Sequence, residues 1–297
     1  MAEHGRHHKK ITEWAWQLLL LVRGWYPHRE IVAVADRAYA SLKLLERCRK
    51  LRNPITFITR LCLDAALYEP APPRRPHQMG RQMGRQMGRP RLKGERLPNL
   101  SMIAEDCATV WRTITVASWY GGAQRTVEIV SDTAVWHSTG LPAVPLRWIL
   151  IRDPQGEFRT QALLCTDLGA EPGRIIGWFV RRWQMETTFQ EVHQRLGFET
   201  QKHWSELTIR RVGPALLALF SMVTLFAHQH MTKSTGSVRR TAWYHKSDPT
   251  FSDALALVRR QLWAQEKTFC GSPSATDTVK VPRAFVERLT DAVCYAA

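Results

Sequence analysis

Two periods of hydrophobic and polar positions alternate along this chain, and the changes between them divide it. From Ile11 to Gly24 (ITEWAWQLLLLVRG) the spacing predicts a helix, with Trp14, Leu18, Leu21 and Val22 on one side and Gly24 near its end. After Tyr26-Pro27, the β-branched run EIVAVA from Glu30 to Ala35 reads as a strand that ends on Asp36. Tyr39 to Leu51 returns to the helical period, with Leu42, Leu45 and Cys48 as the inner face. Asn53-Pro54 then breaks it, and ITFITRLC from Ile55 to Cys62 is a second strand. A strand joined to the next through a helix predicts a right-handed parallel crossover, with functional groups at the carboxyl ends of its strands. Asp36 stands at such an end; an aspartate capping the following helix would occupy the same place.

Beyond Pro70 the pattern stops. The segment PAPPRRPHQMGRQMGRQMGRPRLK repeats QMGR in tandem from Gln78 to Arg89 and has few apolar groups to bury, which predicts a mobile basic loop. Its arginines, Arg89 and Arg91 in GRPR among them, suit phosphates or a minor groove, and a solvated loop lengthened by a repeat gives the same composition. From Met102 to Cys165 five short runs alternate or stay apolar between Gly, Pro and Asp turns: WRTITVASWYG, TVEIVSD, TAVWHSTG, PLRWILIRD and FRTQALLCT. They predict an antiparallel β subdomain with Trp111, Trp119, Trp136 and Trp148 as its core, or with one exposed Trp free to stack on a base.

Arg174 to His193 (RIIGWFVRRWQMETTFQEVH) reads as one helix on which Phe179, Arg182, Glu186 and His193 form a stripe. An ordinary Arg182–Glu186 surface pair, worth ~0.2–0.5 kcal/mol, explains part of that stripe. A divalent ion and a phosphate backbone held side by side would use the same groups. Next comes a long apolar helix over 212–230. Its longest apolar run, Val212 to Ala227, holds Pro214, Ser221 and Thr224 and falls short of the ~20 residues of a membrane span, so a buried core helix is expected. Ser234 to Ser247 is loop-like. Pro249 to Trp263 predicts a helix with Leu255, Val258 and Leu262 inward, and Ala284 to Val293 a terminal one.

Composition narrows the partners. Forty-two Lys and Arg against 26 Asp and Glu leave a formal charge of +16 over 297 residues, with a pI near 10.1. Such a surface repels itself unless it meets a polyanion, so DNA or RNA leads and an anionic membrane follows. Six cysteines without ligand spacing point to reduced structural thiols, and the polar start MAEHGRHHKK has no apolar core of a signal peptide.

A strand-end Asp, a helical Glu and a basic surface together fit two-metal phosphodiester chemistry, in which carboxylates hold two Mg²⁺ ions ~3.5–4 Å apart. At this point the chain resembles the DDE transposases of bacterial insertion sequences that carry a Tyr-x2-Arg-x3-Glu-x6-Lys signature. Here the signature reads Phe179-x2-Arg182-x3-Glu186-x6-His193 within RRWQMETTFQEVHQRLG, and IVAVADRAYASLKLL looks like the block around the second catalytic aspartate. ITFITRLCLDAALYEP, GRPRLKG and AWYHKSDPTFSDAL resemble further blocks of that family.

The resemblance implies a mixed α/β (α+β) fold: a partial ribonuclease-H-like core, an inserted antiparallel β subdomain and C-terminal helices. Its expected parts are 1–69 with Asp36, the basic loop 70–99, the β subdomain 100–168 and a helical part 169–297 with Glu186. Asp36 and Glu186 are implied as catalytic, metal-holding residues for Mg²⁺ or Mn²⁺, and Phe179, Arg182, His193, Arg89 and Arg91 as DNA contacts at transposon ends. Because Asp36 matches the second carboxylate, the first is expected on strands upstream of this chain, which then reads as an N-terminally truncated copy. Asp36, Asp167 and Glu186 form an alternative triad. The expected function is transposase-like DNA strand cleavage and transfer, in the bacterial cytoplasm at the nucleoid, with a possible homodimer on DNA and no membrane. A catalytically inactive DNA-binding protein derived from a transposase is the alternative. Open strand edges where core strands are absent would make the isolated protein prone to aggregate.

Overall fold

The computed structural model describes residues 9–72, 91–200, 205–231, 248–266 and 282–295. The QMGR repeat, Arg89 and the expected loop 234–247 lie outside these residues. The chain divides into two compact units, Met1–Gln184 and Met185–Ala297.

In the first unit the predicted helix, strand, helix, strand order is realised. These elements are α1 (Ile11–Trp25), β1 (Ile31–Ala35), α2 (Leu42–Arg49) and β2 (Ile55–Leu61), with a short 3₁₀ turn at Arg37–Tyr39 between β1 and α2. β1 and β2 pair in parallel, Ile31 with Ile55 through Ala35 with Thr59. There follow β3 (Leu67–Tyr68), α3 (Leu100–Glu105), β4 (Arg112–Val116), β5 (Arg125–Trp136), β6 (Val144–Arg152), β7 (Gln161–Cys165) and α4 (Pro172–Arg181). All seven strands form one sheet in the order β1-β2-β7-β6-β5-β3, with β4 also paired to β5. The antiparallel β2–β7 ladder joins the crossover to the later strands, so the sheet runs on across the boundary expected near residue 100.

Period-two alternation then builds a core on each face. Leu146, Trp148 and Leu150 of β6 point with Phe57, Leu61 and Leu164 toward α1, α2 and α3. Ile149 and Ile151 point with Ile58, Leu163 and Cys165 toward Ile175, Ile176, Phe179 and Val180 of α4. Cys48 and Cys165 sit inside these cores, where burial pushes their thiols up to about 11 and about 12. They are inert packing groups, as expected for structural thiols.

Four expectations change. TVEIVSD and TAVWHSTG are one strand, β5, because Asp132 lies on its exposed side and its carboxylate accepts the Thr133 amide at 2.6 Å. A helix, α3, precedes the strands of this region, anchored by the fully buried Leu100. The helix read over 174–193 is interrupted: α4 ends at Arg181 and α5 (Trp183–Leu196) begins after the single residue Arg182, whose amide turns back to the Phe179 carbonyl at 3.1 Å. Of the four tryptophans expected as core only Trp148 is fully buried, while Trp111, Trp119 and Trp136 are half-buried.

The second unit holds most of α5 with α6 (Glu206–Met231), α7 (Phe251–Glu266) and α8 (Arg283–Cys294). Val223 and Ala227 of α6 pack on Ala254 of α7, and Phe220 stacks on Phe251 at 4.4 Å. The buried Asp253 accepts from the Thr250 amide at 2.8 Å and from the Tyr295 hydroxyl at 3.0 Å, which ties α7 to the end of α8. α6 is not the buried helix expected. Glu206–His230 has a mean hydropathy of 1.5 with 6% of its most apolar window buried, and by length and composition it is long enough to cross a membrane. Leu262 of α7, expected inward, is exposed.

Candidate functional site

The parallel crossover places Asp36 where β1 gives out. Thr59, fully buried in β2, donates its hydroxyl to the Asp36 carbonyl at 2.8 Å and fixes the backbone at that point. Asp36 occupies the cap position of the following 3₁₀ turn, but its side chain makes no capping hydrogen bond. The carboxylate instead meets Arg182, whose Nη1 lies 3.3 Å from Oδ1 and 3.4 Å from Oδ2. Arg182 is brought there by α4, which Glu171 starts by accepting the Arg174 amide at 2.8 Å, with Pro172 in the first turn. The Arg182 side chain is 16% exposed and that of Asp36 58%, so the pair has one dry partner and one facing water.

Phe179, expected at the DNA, is 2% exposed and belongs to the core under α4. It lies on the α4 face turned toward the sheet, and its ring carries the guanidiniums of Arg60 at 5.6 Å and Arg182 at 5.9 Å. Phe179 therefore lies beneath two cations as a buried packing group.

Arg60, at the end of β2, separates two open cavities. One, of about 360 Å³, is lined by Asp36, Arg37, Arg60 and Cys62; the other, of about 640 Å³, by Arg60, Arg182, Trp119, Tyr120, Phe158 and Trp183. In the second, Trp119 and Phe158 stack at 5.4 Å, and Tyr120 meets Trp119 and Trp183 edge-on at 5.2 and 5.8 Å. Tyr120 adopts a positive φ of 50° beside Gly121, the strained turn that turns its ring toward Trp183. Arg125 lies against Trp119 and Phe158 and bonds Asp153 and Glu157, each at 2.6 Å. Burial opposes ionisation of Asp153, but the amides of Gln155 and Glu157 and the Arg125 guanidinium outweigh it and hold the carboxyl below its usual range.

The other expected residues are placed elsewhere. Asp167 leaves the opposite end of the sheet from Asp36, because β7 runs antiparallel to β2 and Thr166 bonds Phe57. By ladder register the two aspartates differ by four residues along the strand direction, about 13 Å at ~3.3 Å per residue. That is too far for a shared pair of ions, and the Asp167 carboxylate closes a turn by accepting the Gly169 amide at 2.9 Å. Arg91 lies exposed in the return of the basic segment, whose ends are pinned where the Gly94 amide meets the Glu69 carbonyl at 2.8 Å. A Cβ at Gly94 would come within 2.8 Å of the Pro70 carbonyl, so glycine is required there. This return runs beside β3, at the far edge of the sheet from β1. Glu186 and His193 are exposed on α5, in the second unit. Among the described residues no group of three or more His, Cys, Asp or Glu is placed to hold a metal ion.

Arg60, Arg125, Phe158 and Trp183 were not singled out from the sequence. One signal existed for Arg60: it is the single charge in the apolar run ITFITRLC and the one exposed position of β2.

No curated protein matches the chain. Residues 2–126, from before α1 into β5, match the family model of the DDE superfamily endonucleases, a match that includes Asp36 and stops short of Arg182. That match likens the N-terminal part of the chain, within the mixed sheet of the first unit, to a DDE endonuclease domain.

Proposed function

We propose that the chain is a transposase-like protein that cleaves and transfers DNA strands at transposon ends, with Asp36 and Glu186 as its catalytic carboxylates and Arg182 as its phosphate contact. The observation that carries this reading is the Asp36–Arg182 pair at the carboxyl end of β1. A strand-end carboxylate facing water beside an anchored guanidinium suits a phosphodiester, which would draw the arginine fork to itself and leave Asp36 open. Arg60 supplies a second cation, and the Trp119, Phe158 and Trp183 rings supply faces on which bases can stack. His193 and Arg91 are further candidate contacts to the DNA backbone, from the second unit and from the basic segment. The formal charge of +16 supports DNA as the partner, in the cytoplasm at the nucleoid.

DDE superfamily endonucleases generally use divalent ions, and Asp36 and Glu186 would be the holders of Mg²⁺ or Mn²⁺ in this reading. Such ions, when bound, supply activation of the attacking oxygen and stabilisation of the leaving one. The first unit alone does not fit a two-ion centre. Among the described residues lining the cavity at Asp36 it offers one carboxylate, and the Arg182 guanidinium 3.3 Å away opposes a cation at the same oxygens. That observation favours a second reading, a DNA-binding protein without cleavage. Incubating the purified chain with labelled transposon-like duplex and Mg²⁺ or Mn²⁺ separates the two. Cleavage lost in Asp36→Asn and Glu186→Gln with binding retained supports the first; firm binding with no cleavage supports the second.

A further inference from the structure

α1 carries two apolar faces and uses one. Ala15, Trp16 and Leu19 pack against the core on the α2 side of the sheet. On the other face Ile11, Trp14, Leu18, Leu21 and Trp25 are each between 48% and 64% exposed, and no residue of α1 is buried. Single exposed apolar residues are ordinary, but these five follow one another at spacings of 3, 4, 3 and 4 along the whole helix. That is the a/d repeat of a helix that packs knobs into holes against another helix. A helix lying on one core needs only one stripe; the second needs its own partner.

We propose that this face is a self-association surface on which α1 of one copy packs antiparallel against α1 of a second copy about a two-fold axis. The seam is complementary to itself: in an antiparallel register Trp14 faces Trp25 of the second copy and Leu18 faces its Leu21. The positions flanking the seam, Lys10, Ala15, Gln17, Val22 and Gly24, carry a single charge, so nothing along the sides of the helix repels a copy. Charge selects the direction. Lys9 and Lys10 stand together at the helix start, with the Lys9 ammonium 5.0 Å from the Trp14 ring. A parallel pair would gather four lysines at one end. An antiparallel pair sets each lysine pair near the negative end of the other helix dipole. Area fits a reversible dimer: half-exposed side chains of this size offer on the order of 100 Å² each, so the pair would bury roughly 1,000 Å², the lower limit for a specific interface.

Sedimentation velocity of the full chain from about 1 to 100 µM, in buffer without DNA, tests this. A monomer–dimer equilibrium is expected, weakened at least about tenfold in Trp14→Ala and abolished in Trp14→Glu with Leu18→Glu. These side chains are exposed, so the variants should keep the circular dichroism spectrum and melting temperature of the parent. A milder pair, Leu18→Gln with Leu21→Gln, should weaken association in the same direction without adding charge. A parent chain that stays monomeric at 100 µM overturns the proposal, as does a dimer that persists unchanged in the variants.

Discussion

Asp36 and Arg182 meet at 3.3 Å although 146 residues separate them, one at the end of the first strand and the other just past the helix that crosses beneath the sheet. Everything else at the site is arranged around this pair: Thr59 fixes the aspartate backbone, and Phe179 lies under the arginine.

The pair contributes little to stability because Asp36 faces water; exposed ion pairs give about 0.2–1 kcal/mol. Arg182→Ala should therefore move the melting temperature by no more than a few degrees. It should weaken DNA binding by about tenfold or more and lower the slope of log affinity against log salt by about one. Fluorescence-anisotropy titrations at several salt concentrations check both, and an unchanged slope would remove Arg182 from the phosphate contacts.

Phe179 should behave oppositely. Its ring is buried among Ile175, Ile176 and Val180, so Phe179→Ala should cost about 3–5 kcal/mol in urea unfolding. Phe179→Tyr should also destabilise, since a hydroxyl placed in that core loses water and must find a partner. If Phe179→Tyr left stability intact and tightened DNA binding, the ring would have to reach the nucleic acid after all.

The cavity beside Arg182 predicts a preference for unpaired bases. Trp119→Ala should weaken single-stranded DNA binding by about 1–3 kcal/mol per stacked base, with a smaller effect on duplex. Equal losses on both substrates would point to a fold defect, and no loss on either would exclude stacking at Trp119.

Acid should loosen the wall of that cavity. The Asp153 carboxyl is held below its usual range, so its contribution is complete above the unfolded-state value near ~3.9 and is lost as pH falls through the lower folded value. Thermal melts between pH 3 and 7 should show stability falling below about pH 4, with part of that fall absent in Asp153→Asn. An identical acid profile in the variant would show that other carboxylates carry it.

Local pattern in the sequence was enough for α1, β1, α2 and β2, because each has a clean period bounded by Pro, Gly or Asp, and Asp36 at the end of β1 followed from it. The parallel direction of β1 and β2 followed from the crossover, but the direction of β7 relative to them did not. Asp167 also ends a strand, yet β7 runs the other way and delivers it to the wrong end of the sheet. The interruption at Arg182 escaped because arginine is a good helix former and keeps helical backbone angles there; only the hydrogen bonding shifts. The signature position of Phe179 implies a DNA contact, whereas its burial follows from its place on the sheet-facing side of α4, which the signature does not encode. The Asp36–Arg182 pair depends on the crossing of α4 beneath β1 and β2, a long-range arrangement that spacing along the chain does not encode. Exposure of α6 was equally hidden, since an apolar run reads the same whether or not a partner covers it.

Cleavage of end-labelled duplex DNA by the full chain, with and without Mg²⁺ or Mn²⁺, tests the central claim most directly when run beside Asp36→Asn. Divalent-dependent strand cleavage that disappears in Asp36→Asn, while DNA affinity stays within a few-fold of the parent, is the predicted result. Cleavage that continues unchanged in Asp36→Asn would contradict it.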